Sequence, residues 1–290
     1  MSVSEKFQNF CSNIRIKSSV VNDISCRYKR ITRQLNSDFW NTDSETSHSL
    51  YVGSYGRDTD IHTSDIDVLM QLPWVVHAQY EGHIGNGQSA LLQTVRDSLK
   101  KTYSTTHIKS DGQVVQIVFN DGVSFEIIPA FLYDTGRYSY PDTNNGGSWK
   151  TTDPKAEIKA IREGNDIWNG NLKNLCRMAR AWKEKWDVPI GGLLIDTLAY
   201  NFMKNSAYTD KSFIYYDWMV RDFFMYLKDQ DINKTYWLAP GSGQYVDKKG
   251  DFQYKALRCY NIAKEAIDYE AQVMPYSADG KWREIYGSKF

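Results

Sequence analysis

No two of the four cysteines in this 290-residue sequence, Cys11, Cys26, Cys176 and Cys259, form a C-x-x-C pair, and no histidine nearby completes a zinc site. That excludes a zinc-ribbon framework and predicts reduced, unpaired thiols. An excess of either charge is also missing, since 35 Lys and Arg balance 35 Asp and Glu. No global field therefore draws the chain to nucleic acid or to an anionic membrane, and nucleic-acid binding has to be argued locally. Nothing in the sequence approaches the ~20 apolar residues of a membrane-spanning helix. The opening stretch MSVSEKFQNFCSNIRIK is charged throughout and lacks the apolar segment of a signal peptide. The expectation is a soluble cytoplasmic protein with no membrane partner. Internal repeats are absent as well. What is abundant is apolar surface: 41% hydrophobic and 14% aromatic residues suffice for one large domain or two packed lobes.

Apolar spacing of three and four residues through Phe7, Phe10, Ile14, Val21, Ile24, Tyr28, Ile31 and Leu35 predicts one helix over 4–36. SLYVGSYG reads as a short strand running into a turn, and SDIDVLMQLP as a second strand stopped by Pro73. A Gly-rich loop, YEGHIGNGQ, precedes the amphipathic helix SALLQTVRDSLKKTY, for which Ser89 is the expected N-cap. GQVVQIVF and VSFEIIPAFLY, separated by NDG at 120–122, predict a hairpin. SYPDTNNGGSWKTTDPK reads as a turn-rich connector, and residues 155–271 as mainly helical. The expected class is α+β: a mixed lobe with its N-terminal helix over 1–150, then a helical lobe over 151–290.

The chemistry concentrates in VGSYGRDTDIHTSDIDVLM, residues 52–70. Alternate side chains of a strand share a face, so Asp65 and Asp67 are expected to project together while Ile66 and Val68 face the core. Paired carboxylates repel unless a cation lies between them, and hard oxygen donors suit Mg²⁺ or Mn²⁺. Glu126 interrupts the apolar strand VSFEIIPAF, with Phe125 and Ile127 facing the other way, and an uncompensated charge there is costly. Three such carboxylates make a two-metal site, the apparatus of in-line phosphoryl or nucleotidyl transfer. Gly53 lets a backbone approach phosphate oxygens closely, and Ser54 adds a hydroxyl to the turn. Each piece alone is ordinary: Gly-Ser is commonly a plain turn, D-x-D a solvated or capping pair, and a strand Glu an edge residue. The information lies in their order: Gly-Ser, ten residues, Asp-Ile-Asp, then Glu on a later strand.

These residues resemble the DNA polymerase beta-like nucleotidyltransferase superfamily. GSYGRDTDIHTSDIDVLMQL with FEIIPAF looks like its second-messenger branch of oligoadenylate synthases, cyclic GMP-AMP synthase and the bacterial cGAS/DncV-like nucleotidyltransferases (CD-NTases). NLCRMARAWKEKWDVPIGGLLIDTLAYNF is similar to the helical-lobe segment of that branch, and WREIYGSKF to the C-terminus of its SMODS-type enzymes. The resemblance implies a polymerase beta-like lobe whose mixed sheet is flanked by helices, an oligoadenylate synthase-like helical lobe, and an active site in the cleft between them. It implies an enzyme that makes a cyclic di- or trinucleotide, or a linear oligonucleotide, from NTPs, ATP and/or GTP, with release of pyrophosphate. A downstream effector would sense the product in anti-phage (CBASS) signalling. By the same resemblance Gly53, Ser54, Arg180 and Lys183 would hold the nucleotide phosphates. Asp65, Asp67 and Glu126 would hold two Mg²⁺, with Mn²⁺ as a substitute, and Glu126 would help deprotonate the attacking 2′- or 3′-hydroxyl. Two departures stand out: Glu126 occupies a position that is Asp in most relatives, and Gly191–Gly192 occupy one that often carries a phosphate-contacting Ser, Gln or Tyr. The Cys/His zinc insertion of the animal DNA-sensing enzyme is absent, so an obligatory long nucleic-acid ligand is not expected.

Three features have two readings each. Lys173, Arg177 and Arg180 form a cationic stripe on the helix expected at 171–186, either reaching the triphosphate through Arg180 or forming a solvated face. CRYKRITR, with Arg27, Lys29, Arg30 and Arg33, is either a solvated surface or a contact for a nucleotide or activating ligand. Trp149 and Tyr133 either stack on bases or pack. Two other functions remain open: the same chemistry on a macromolecular acceptor, as in toxin- or tRNA-modifying enzymes, and a non-catalytic nucleotide- or partner-binding module.

Overall fold

The computed structural model describes residues 1–62 and 65–290. Contacts divide the chain into two units, a sheet unit of residues 17–56 and 65–155 and a helical unit of residues 1–16, 57–62 and 156–290. The border expected at 150/151 falls at 155/156, and two N-terminal pieces go with the helical unit. That division explains the first correction. In place of one helix over 4–36 there are two, α1 (Val3–Asn13) and α2 (Ser18–Trp40), separated at Lys17, whose ψ of 146° is extended. Neither Gly nor Pro marks the break; it falls where the chain passes from one unit to the other.

The sheet unit continues through β1 (Ser49–Tyr51), the short helix α3 (Gly53–Arg57), β2 (Ile66–Gln71), α4 (Trp74–Glu81) and α5 (Gly87–Thr102). It then runs through β3 (His107–Asp111), β4 (Val114–Val118), β5 (Ser124–Leu132), β6 (Tyr138–Asp142) and β7 (Ser148–Thr152). The strand order is β1-β2-β5-β4-β3, with β6 on β5 and β7 on β6. Only the β2–β5 pairing is parallel among the described strands, so the sheet is mixed. Period-two burial sets the faces: Ile66 and Val68 of β2, and Phe125 and Ile127 of β5, are buried. Helices α2 and α5 pack together, burying Ile24, Ile31 and Leu35 from one and Leu91, Leu92, Val95 and Leu99 from the other. The N-cap of α5 is Asn86, not Ser89; its Oδ1 accepts the Ser89 N–H at 2.9 Å. The expected connector after residue 139 is a hairpin, β6–β7, turning through Asn145 in the left-handed region. Strand β3, with its polar HIKSD sequence, carries too little apolar alternation to be read from sequence.

In the helical unit α6 (Pro154–Ile167), α7 (Asn171–Trp186), α8 (Gly192–Lys204) and α9 (Tyr216–Lys228) precede a small hairpin, β8 (Tyr236–Leu238) and β9 (Tyr245–Asp247). That hairpin interrupts the region expected to be helical. Helices α10 (Gln253–Ala271) and α11 (Pro275–Tyr286) follow, α10 packing on both α9 and α11. Fully buried Trp182, Phe224 and Trp282 anchor the core. Helix α1 joins it through Phe7, whose ring lies edge-on to Trp282 at 5.1 Å, and Phe10, whose ring is 4.5 Å from Tyr286. All four cysteines are unpaired. Among the described residues no helix is long and apolar enough to cross a membrane.

Candidate active site

The parallel pairing of β2 with β5 places Asp67 opposite Glu126 in register, both half-buried. Directly opposed residues on neighbouring strands share a face, so the two carboxylates stand side by side. Asp65 lies just before β2 rather than within it, and is exposed. Its charge nevertheless reaches Glu126. Burial pushes the Glu126 carboxyl above the usual range and Asp65 adds to the shift, against a hydrogen bond from Gln116 and the charge of Lys109. Among the described residues no three His, Cys, Asp or Glu side chains close around one point tightly enough to enclose an ion.

Gly53 begins α3 at a φ of +61°, a conformation that L side chains rarely adopt. A Cβ there would sit 1.7 Å from Asp67 Oδ2, which no side chain can occupy. The Val52 N–H donates to the Asp67 carbonyl at 2.9 Å, and the Gly56 N–H to the Val52 carbonyl at 2.8 Å. The Gly53–Ser54 turn is therefore seated directly against the Asp67 carboxylate. The donor set is all oxygen, and its repulsion is of the kind a hard divalent cation relieves, so the residues present fit such an ion.

The cationic stripe of α7 is neither a solvated face nor a free phosphate contact. Arg180 is buried, its Nη1 and Nη2 donating to Asp196 Oδ1 at 2.5 Å and Oδ2 at 2.9 Å, with Nη2 also reaching the Gly192 carbonyl at 3.1 Å. The Arg57 Nε and the Thr59 hydroxyl bring Asp196 Oδ2 two further donors, at 2.8 and 2.9 Å. Burial acts to raise the Asp196 carboxyl, but the charges and hydrogen bonds of Arg180 and Arg57 outweigh it and hold it at about 2. Lys173 and Arg177 both pair with Asp58. The expectation that Arg180 serves phosphate is thus corrected: its guanidinium is committed to Asp196, an acid sixteen residues away in sequence on the next helix.

Lys183, one turn on, differs. No hydrogen bond or ion pair engages its ammonium among the described residues, and burial with repulsion from Lys249 and Arg180 lowers its affinity for a proton. Lys249 lies over the start of α8, where a Cβ on Gly191 would meet its Cε at 3.5 Å. The Gly191–Gly192 start of α8 has no side-chain cap, leaving backbone N–H groups beside this pair of lysines. Sequence reading missed Lys249, which lies outside every motif.

Most of the remaining candidates have partners, whereas Lys29 is exposed. Arg27 pairs with both oxygens of Asp121 and lies 4.1 Å from the Phe119 ring, while Arg30 stacks on Tyr103 and Arg33 lies near Asp43. Trp149 packs on His77 and Phe131 and donates its indole N–H to Glu81, while Tyr133 packs on Trp74.

Residues 1–165 match the SMODS family, the Second Messenger Oligonucleotide or Dinucleotide Synthetase domain. The chain belongs to this family. A protein of Bacillus cereus (strain VD146) described as a probable cyclic nucleotide synthase is 26% identical over 193 residues, 63% of this chain. The match spans 56% of that relative, little more than half its length. The cyclic AMP-AMP-AMP synthase of Acinetobacter sp. (strain ATCC 27244 / 9458) is 22% identical over 305 aligned positions, 100% of this chain and 86% of that one. The fold is that of the CD-NTases: the structure of CdnC from E. coli MS115-1 with ATP superimposes with a TM-score of 0.75 at 15% identity, covering 99% of this chain and 98% of that one. The SMODS match takes in Gly53, Ser54, Asp65, Asp67 and Glu126.

Proposed function

We propose that this SMODS protein is a nucleotidyltransferase that builds a cyclic di- or trinucleotide second messenger from ATP and/or GTP, releasing pyrophosphate, in bacterial anti-phage (CBASS) signalling. One observation carries the reading: the Gly53–Ser54 turn rests on Asp67, and Asp67 stands in register with Glu126. A turn whose backbone accommodates phosphate thus adjoins two carboxylates suited to share a hard divalent cation. The family match and the synthases among the relatives support the same chemistry.

Asp65, Asp67 and Glu126 would hold two Mg²⁺, for which Mn²⁺ would substitute. When bound there, the ions would supply charge neutralisation at the transferring phosphoryl group and a lower pKa for the attacking hydroxyl. Gly53 and Ser54 receive the donor triphosphate, the glycine because a Cβ would collide with Asp67 and the serine through its hydroxyl. Glu126 would also take the proton of the attacking 2′- or 3′-hydroxyl on a carboxylate oxygen. Lys183 and Lys249 bind phosphate, which relieves the repulsion between them.

The test is pyrophosphate release from each NTP in Mg²⁺ or Mn²⁺. Release by the wild-type chain and none by Asp65→Ala/Asp67→Ala is expected. Equal release by the two proteins would refute the assignment. Label transferred from NTP onto tRNA or protein would instead establish a macromolecular acceptor.

A further inference from the structure

The carboxylate pair is part of a longer polar row. Asp67 on β2 is opposite Glu126 on β5, Glu126 is opposite Gln116 on β4, and Gln116 is opposite Lys109 on β3. Cross-strand partners share a face, so the row runs along one side of the sheet. Its direction is fixed by the pleat: Val115 and Ile117, flanking Gln116, are fully buried on the opposite face, as are Phe125 and Ile127 flanking Glu126. Gln116 Nε2 lies 3.4 Å from Glu126 Oε1. Among the described residues Glu126 has no other hydrogen-bond partner, so Oε2 is left open.

A glutamate has one more side-chain torsion than an aspartate. Held at its backbone alone, its carboxylate samples orientations that do not serve an ion shared with Asp67. An amide on the next strand removes that freedom by occupying one oxygen, and as a neutral donor it adds no competing charge. We propose that Gln116 is a positioning residue for Glu126: its side-chain amide engages Oε1, fixes the rotation of the carboxylate, and assigns Oε2 to the divalent cation. This inference rests on the metal-dependent reading of the carboxylates given above. It concerns a residue that touches neither nucleotide nor ion and acts only through Glu126.

The experiment measures Mn²⁺ binding without nucleotide, by electron paramagnetic resonance of the free ion, for the wild-type chain, Asp67→Ala and Gln116→Leu. It is paired with kcat and KM for NTP. Loss of an outer partner of a metal ligand characteristically costs about tenfold or more in metal affinity or activity. Gln116→Leu is therefore expected to weaken Mn²⁺ binding and lower kcat about tenfold each, with KM within about twofold and the metal-free melting temperature unchanged. Glu126→Asp, too short to need the same support, should add less loss in the Gln116→Leu background than alone. If Gln116→Leu loses metal-free stability, Gln116→Asn, which falls short of Oε1, carries the same measurements. Wild-type Mn²⁺ affinity in the Gln116 variant, with or without a fall in kcat, overturns the proposal when Asp67→Ala abolishes binding. If Asp67→Ala binds Mn²⁺ like wild type, the carboxylate reading itself fails, and the proposal with it.

Discussion

At Gly53 two independent constraints meet, a left-handed φ and the absence of room for a Cβ beside Asp67. Gly53→Ala must therefore both strain the backbone and displace the carboxylate. A loss of about 1–3 kcal/mol in urea unfolding is expected, together with loss of product formation. Asp67→Ala should also abolish product but leave metal-free stability within about 1 kcal/mol, because it removes a charge facing another carboxylate. Arg180→Ala behaves in the opposite way. It strips the buried Asp196 of two of its hydrogen bonds, so destabilisation of about 3 kcal/mol or more is expected. Lys183→Ala should instead raise KM for NTP with stability little changed; an unchanged KM would remove it from the phosphate site. The contrast shows what was legible at this scale. That Gly53, Asp67 and Glu126 come together could be anticipated, because nucleotidyl transfer calls for those residue types in that order. Arg180 could not, because the partner that claims it comes from another helix, and nothing in a helical stripe of cations records which acids fold over it.

Among the elements, β4 was readable because its alternation is strict, and β2 and β5 because alternation at their starts runs into a short apolar stretch. The parallel register that sets Asp67 against Glu126 was not, since pairing is decided by the whole sheet rather than by either strand. The start of α5 illustrates local chemistry misplaced by one turn. Ser89 and Asn86 both suit an N-cap, and the helix begins at the earlier one because Asn86 also donates its side-chain amide to the Thr143 carbonyl at 2.9 Å. Asn86→Ala is expected to cost about 1 kcal/mol or more of unfolding free energy, and Ser89→Ala almost nothing. Equal effects of the two substitutions would contradict the cap assignment. The hairpin β6–β7 escaped detection because NNGG was read only as a loop signal, although it also turns two strands.

Over the whole molecule, stability depends on pH through a group outside the carboxylate row. Asp217 on α9 is buried, and that burial pushes its carboxyl to about 6, with Glu270 adding to the shift and the Trp218 N–H and Arg221 opposing it. The unfolded chain ionises this group near 3.8. Folding is therefore unpenalised below that value and loses stability as pH rises from about 4 to about 6, by at most about 3 kcal/mol. Asp217→Asn should be more stable than wild type at neutral pH and equal to it near pH 4; a gap independent of pH would refute this account. The division into units is also a whole-chain property. Helix α1 and residues 57–62 join the helical unit because of what they bury there, Phe7 and Phe10 in its core and Arg57 on Asp196, which no local window of sequence displays. The central claim is tested most directly by incubating the protein with all four NTPs and Mg²⁺ or Mn²⁺, treating the mixture with phosphatase, and identifying products by mass spectrometry beside Asp65→Ala/Asp67→Ala. A phosphatase-resistant cyclic oligonucleotide, absent from the variant, is predicted. No nucleotide product with either metal would contradict the account.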